Sequence, residues 1–398
     1  MLGKINSQCK EVTVVGGGIS GLLAAYTLDR SGYEVTLYEK EPHLGGLIHT
    51  KKTPWGLAES AAHTILATQE VRSFFDELGV ELVGVHGSSA KYIYRNGKFR
   101  RFPLNFREVI RIIFRFLKKS KTLSTSQTVQ DWAVARLGHS AAEYLIAPMI
   151  QGNYGARASE ISMSCAFPRG LRMPKGKMMA PKNGMGSVTD RLVEILEKRL
   201  GRRLKKNTLF EELPKQDRSN IVLCVPAYDA ARLVSRQSPR TAQALEKISY
   251  TSLMSVTVFL KRINLKGVGV LIPESEGKKC LGILLNSFDG RVINESMTSL
   301  TVLLGGSFRP ELLEASDLEI QTIITHELTD ILKIKPDVFH FEIHRWEKAI
   351  PKYNSDLLGV WKTAREDWCA EPGHVLFGNY TGQVSLRGMV ESVLGCFF

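Results

Sequence analysis

The chain has 398 residues, 43% of them hydrophobic and 23% charged, with a formal net charge of +13. Those proportions suit a globular protein large enough for two domains, and they exclude a collagen-like or disordered chain. The positive excess points to an acidic substrate or an anionic membrane surface. Nucleic acid is set aside, because zinc-finger, basic-zipper and RNA-recognition signatures are all missing.

A β-branched run, Val12 to Val15, leads into Gly16-x-Gly18-x-x-Gly21, an Ala/Leu-rich helical pattern, a turn at Ser31-Gly32 and a second strand ending on Glu39. Gly16 permits the tight strand-to-helix turn, Gly18 lets the backbone approach a pyrophosphate, and Gly21 allows close packing of helix and strand. The helix start, Ile19 and Ser20, presents unpaired N–H groups to phosphates. Glu39 lies eighteen residues beyond Gly21, where a carboxylate accepts hydrogen bonds from ribose hydroxyls. Strand, glycines, helix, strand and acid arrive in order within one ~30-residue unit, so the stretch reads as a dinucleotide site.

Glu39-Lys40 is followed by Gly45-Gly46-Leu47. The stretch resembles FAD enzymes of the glutathione-reductase and amine-oxidase type, in which the second glycine pair passes close to the pyrophosphate. Non-covalent FAD is the cofactor this implies. Residues 47–69 read as a strand, a turn at Pro54-Trp55-Gly56 and a small-residue segment from Glu59 to His63. In oxidases of this type that segment runs near the flavin, and Ser60, Ala61 and Ala62 suit a backbone lying against a flat ring. His63 reads as a packed histidine before a catalytic base. Residues 70–79 read as a short amphipathic helix closed by Gly79.

Residues 90–103 alternate as a hairpin about Arg95-Asn96-Gly97. Residues 106–121 then set Val109, Ile110, Ile112, Ile113, Phe114, Phe116 and Leu117 on one side of a helix and Arg107, Arg111, Arg115, Lys118 and Lys119 on the other. That pattern fits a helix lying in a membrane interface or one covering a core with a solvated basic face. Residues 127–148 continue as helix, broken at Leu137-Gly138.

The segment LIAPMIQGNYGARASEISMSCAFPR, residues 145–169, resembles the protoporphyrinogen oxidase family. The resemblance extends to PKNGMGSVTDRLVEIL (181–196), HRWEKAIPKY (344–353) and HVLFGNYTGQVSLRGMVESV (374–393). It implies a flavoenzyme that removes six electrons from a porphyrinogen in three two-electron steps, with oxygen reoxidising the flavin. It also implies flavin contacts at Gly378, Val384 and Ser385, and substrate contacts at Gly155 and at Arg95, whose guanidinium would pair with a propionate. Coproporphyrinogen is an alternative substrate. An amine oxidase or carotenoid desaturase is a second enzyme reading, against which Leu47 stands where amine oxidases commonly have arginine. A non-catalytic FAD-bound membrane adaptor is the third. The stretches between Phe167 and Pro181 and between Leu204 and Val225 are short for the family, and Arg157 replaces its more usual acid.

Residues 220–227 read as a strand returning to the FAD unit, stretches near 255, 280 and 301 as substrate-sheet strands, and 316–334 as an amphipathic helix. The expected fold is α/β. A Rossmann-type FAD-binding domain (1–85, 170–250, 365–398) is interleaved with an α+β substrate domain (86–105, 251–364) and a helical cap or membrane-binding region (106–169). Six cysteines (Cys9, Cys165, Cys224, Cys280, Cys369, Cys396) stand singly, which argues against a metal site and for a reducing compartment. No run approaches the ~20 apolar residues of a spanning helix, and the first residues lack a signal-peptide core. The expectation is a cytoplasmic enzyme, peripheral on the cytoplasmic membrane face, with a homodimer left open.

Overall fold

The computed structural model describes residues 2–85, 90–117, 127–168, 170, 175–213, 220–286 and 296–396. β1 (Glu11–Val15), α1 (Ile19–Arg30) and β2 (Glu34–Tyr38) form the opening unit. β1 lies between β2 and the strand Asn220–Leu223. Leu204–Lys205 and His374–Leu376 complete a five-stranded, wholly parallel sheet. Helices cover such a sheet on both faces, so Val12, Val14, Val35 and Leu37 are buried on one face and Val15 and Leu223 on the other. Helix α1, the helix Gly186–Leu200 and the last helix, Leu386–Cys396, supply Leu22, Leu23, Leu192, Leu196 and Val390 to the core on the first face.

A second, mixed sheet has seven strands, with Val338–Pro351 at one edge beside the long strand Tyr250–Lys261. Its other strands are Met297–Gly305, Gly282–Leu285, Gly269–Leu271 and the hairpin Lys91–Arg95/Lys98–Arg100. Side chains alternate between its faces. Met254, Val256, Val258, Leu300 and Val302 pack against Ile320, Ile324 and Leu328 of the helix Asp317–Leu332, which opens with a Ser316–Glu319 capping box. Leu253, Ser255, Thr257 and Phe259 therefore point the other way. Two pieces cover that opposite face. One is the hairpin β3 (Thr50–Thr53) and β4 (Gly56–Glu59), whose Trp55 stacks on His340 with ring centroids 4.4 Å apart. The other is the helix Ala147–Tyr154, which Gln151 fixes by donating to Ile272 O and Leu281 O.

The helical layer contains Phe106–Leu117, then Val129–Leu137, which starts at a Thr128–Asp131 capping box and stops at Gly138 (φ 90°). On Phe106–Leu117 the apolar arc is shared. Val109 and Ile112 are half-buried, whereas Phe106, Ile113 and Phe114 are 79%, 55% and 64% exposed. Phe102, just ahead, is 58% exposed. Arg107 and Arg111 are exposed beside them. Arg115 is also exposed, with its guanidinium donating to Val134 O at the end of the next helix. Lys118, Lys119 and the side chains of Phe116 and Leu117 lie outside the described residues. Among the described residues no helix is long and apolar enough to cross a membrane.

Candidate functional site

Of the predicted cofactor residues, Gly16, Gly18, Gly21, Glu39, Gly45 and Gly46 converge at the carboxyl end of β1. Gly16 has φ +105°, and a side chain there would meet Cys224 O at 2.8 Å. At Gly21 a Cβ would stand 1.7 Å from Gly16 O, so helix and turn pack in backbone contact. Gly18 differs, since the nearest atom to an added Cβ is Gly46 Cα at 3.7 Å. It leaves open space over the start of α1, where no side chain caps the helix. Ile19 and Ser20 stand at that free end, ready for an anionic group.

Gly45 N donates to Gly17 O at 2.8 Å, laying Gly45–Gly46 beside Gly17–Gly18. Glu39 accepts from Gly17 N at 2.6 Å and Glu41 N at 2.8 Å, which fixes the carboxylate over the glycine turn. Gly17 was not singled out from sequence; the GGG run carries the signal. Lys40 is exposed and sits 3.9 Å from Asp229. Leu47 O accepts from Ser60 Oγ at 2.7 Å, so the segment after the glycine pair and the Ser60–Ala61 strip run together.

The last helix begins at Leu386, two residues later than Val384. Ser385 is its cap, with its Oγ accepting from Gly388 N at 3.2 Å. Ser20 Oγ reaches Met389 Sδ at 3.6 Å, joining this helix to the start of α1. Gly378 closes the sheet end through Thr381, whose Oγ accepts from Gly378 N. A bare glycine opening, an uncapped helix start, a fixed ribose-type carboxylate and a second helix end fit FAD.

Two seams join this cofactor unit to the substrate sheet. Trp346 Nε1 donates to Ser60 O at 2.9 Å, and His63 Nε2 lies 3.2 Å from Ser255 Oγ. Farther along, Lys51 Nζ pairs with Glu342 at 2.8 Å, and His340 Nε2 is 3.3 Å from the same carboxylate. None of these partners was expected, and all but His340 with Glu342 join positions far apart in the chain. Register aligns His344, Ser255, Leu303, Gly282, Leu271 and Ile93 in one row across the sheet. Leu303 and Leu284 lie half-buried on that face of the sheet, an apolar floor beside the two covers. Gly155 (φ +59°) borders it, since a Cβ there would press on Leu253 at 3.0 Å.

Arg95 does not stand free to receive a carboxylate. Both arms of its guanidinium bind Glu108, at 2.8 and 2.9 Å, and it lies 4.0 Å above the ring of Tyr144. The planar fork suits this bidentate, stacked position. Arg95, for which a propionate partner was expected, binds Glu108 at the start of the amphipathic helix. The pair holds the Glu108 carboxyl down at about 2. Arg157 is likewise engaged, with Glu274 at 2.7 Å.

The parallel sheet, glycine opening and seam define a flavin-dependent oxidoreductase. The chain belongs to the family of flavin containing amine oxidoreductases, whose pattern matches residues 19–394, and FAD is its cofactor. It is similar to the mitochondrial protoporphyrinogen oxidase of Nicotiana tabacum, 25% identical over 98% of this chain and 94% of that one. The protoporphyrinogen oxidase of Homo sapiens is 24% identical over 89% of each chain. A crystal structure from Exiguobacterium sp., provisionally assigned as a protoporphyrinogen oxidase, has a TM-score of 0.78 at 20% identity, covering 99% and 98% of the chains. Putrescine oxidase shares the fold at a TM-score of 0.73 and 16% identity, covering 96% and 97%.

Proposed function

We propose that this protein is an FAD-dependent porphyrinogen oxidase of tetrapyrrole biosynthesis, with protoporphyrinogen as substrate and molecular oxygen as electron acceptor. The apolar floor of Leu303 and Leu284, beside the Ser60–His63 strip and Gly155, carries this reading. A flat, largely apolar macrocycle suits such a surface, and the full-length similarity to protoporphyrinogen oxidases supports it. Each two-electron step breaks one C–H and one N–H bond of the substrate, and a shift of a proton from a bridging carbon to nitrogen completes the aromatic porphyrin.

Bound FAD supplies hydride acceptance and reoxidation by oxygen. The chain's own residues bind and orient. Gly18, Ile19 and Ser20 would hold the pyrophosphate, Glu39 the ribose, and Val384 with Ser385 the flavin edge where a helix N-terminus favours negative charge. Anaerobic mixing with protoporphyrinogen, coproporphyrinogen and simple amines tests the reading. The flavin should bleach fastest with protoporphyrinogen, and faster bleaching by an amine would overturn it.

We also propose peripheral binding to an anionic membrane on its cytoplasmic side. Exposed Phe102, Phe106, Ile113 and Phe114 lie beside exposed Arg107 and Arg111, the combination an interfacial helix needs.

A further inference from the structure

We propose that Ser255 and His63 form a proton relay beside the apolar floor, taking the proton that leaves a substrate nitrogen as the neighbouring carbon loses hydride. The inference rests on the oxidase reading above and assigns it a proton acceptor. In each step a C–H bond breaks with its electron pair leaving as hydride to the flavin. The N–H bond breaks with its electrons staying to form the new double bond. That proton passes to Ser255 Oγ as the hydroxyl's own proton moves to His63 Nε2. Product therefore leaves two electrons on the cofactor and one proton on the imidazole, which returns it to solvent before the next step.

Geometry supports the assignment. Ser255 is 4% exposed and occupies the same register row as floor residue Leu303. His63 is 7% exposed and closes the strip that begins at Ser60, itself tied to the segment after Gly45–Gly46 by His49 N donating to Ser60 Oγ at 2.9 Å. The Ser255–His63 contact is thus the point where cofactor unit and substrate sheet meet. A buried hydroxyl aimed at an imidazole nitrogen is the arrangement that lets a weak oxygen base accept a proton.

On the edge strand, His344 stands beside Ser255, with Glu342 and His340 beyond it. On the hairpin side are His49, Lys51 and Glu59. Lys51 and Glu342 neutralise each other, and Glu59 accepts from Thr50 Oγ and Met185 N. His344 Nε2 lies 4.0 Å from Glu342 Oε1, whereas His63 Nε2 lies 3.2 Å from Ser255 Oγ, so His63 is the imidazole placed to take the proton from Ser255.

The test follows anaerobic flavin bleaching by protoporphyrinogen across pH, in FAD-loaded wild type, Ser255→Ala, Ser255→Thr and His63→Gln. The wild-type rate should rise with pH through the range where imidazole loses its proton. Ser255→Ala and His63→Gln should lower the plateau on the order of 10²-fold and lose that rise, the scale of general-base catalysis. Ser255→Thr keeps the hydroxyl and should keep the rise. Visible flavin spectra report whether each variant still holds FAD. If His63→Gln loses it, Ser255→Ala decides alone. If wild type bleaches and Ser255→Ala keeps both rate and pH rise, the relay is wrong and the oxidase reading stands. If neither porphyrinogens nor amines bleach the wild-type flavin, the oxidase reading falls and takes the relay with it.

Discussion

Two glutamates mark the contrast between the cofactor unit and the helical layer. Glu39 binds backbone N–H groups of its own loop, at Gly17 and Glu41, in a geometry set within one strand–turn–helix–strand unit. Glu108 binds Arg95 of a hairpin thirteen positions earlier, with Tyr144 of a third element stacked on the arginine. In the first case backbone dictates side chain, so spacing in the sequence reports the site. In the second, side chains of three elements dictate one another, and spacing reports nothing. The lesson is that a motif residue is readable when its partner is local backbone.

The largest effect that would sharpen this contrast is at the glycines. Gly21→Ala puts a Cβ into Gly16 O, so the unit should neither fold natively nor hold FAD. Gly18→Val should leave the apoprotein folded, because an added Cβ there meets nothing nearer than Gly46 Cα at 3.7 Å, and yet abolish FAD binding. Circular dichroism with flavin absorbance separates the two. A yellow Gly18→Val protein would break the assignment of that opening to the pyrophosphate.

Next comes the Arg95–Glu108 pair. Arg95→Ala should cost about 1.5–3 kcal/mol in urea unfolding, the range for hydrogen bonds to charged groups, while KM for substrate stays unchanged. A rise in KM with unchanged stability would support the propionate role. The same pair sets an acid dependence. Because the folded Glu108 carboxyl sits at about 2 against an ordinary 4.5, its contribution is complete above about pH 4.5 and is lost as pH falls through 2. Wild type should therefore lose more stability than Arg95→Ala on acidification through that window. Parallel unfolding curves would show that the pair adds nothing.

The smallest effect concerns the outer face of Phe106–Leu117. Co-sedimentation with anionic vesicles should weaken by about 1 kcal/mol for each basic residue removed, as in Arg107→Ala or Arg111→Ala, and should fall with added salt. Phe114→Glu should weaken it too. Equal binding to neutral vesicles would break the electrostatic part.

The cofactor half was legible because each glycine there answers a backbone demand. The Asn-Gly hairpin was legible for the same reason, with Asn96 and Gly97 both at positive φ. The strand Val338–Pro351 was recognised only as a similar segment, since its mixture of charged and aromatic residues hides the alternation that burial imposes. The Lys51–Glu342, Trp346–Ser60 and His63–Ser255 seams were not legible, because nothing in local spacing joins residues hundreds of positions apart.

The parallel sheet draws its strands from residues 11–38, 204–205, 220–223 and 374–376, and the last helix packs beside α1. During synthesis the glycine turn emerges early, whereas the strand His374–Leu376 and the helix Leu386–Cys396 that complete its surroundings emerge much later. A nascent chain cannot close its cofactor site until those two elements have been made. FAD capture therefore waits on them, and the half-built sheet must be kept from pairing wrongly until the strand His374–Leu376 arrives.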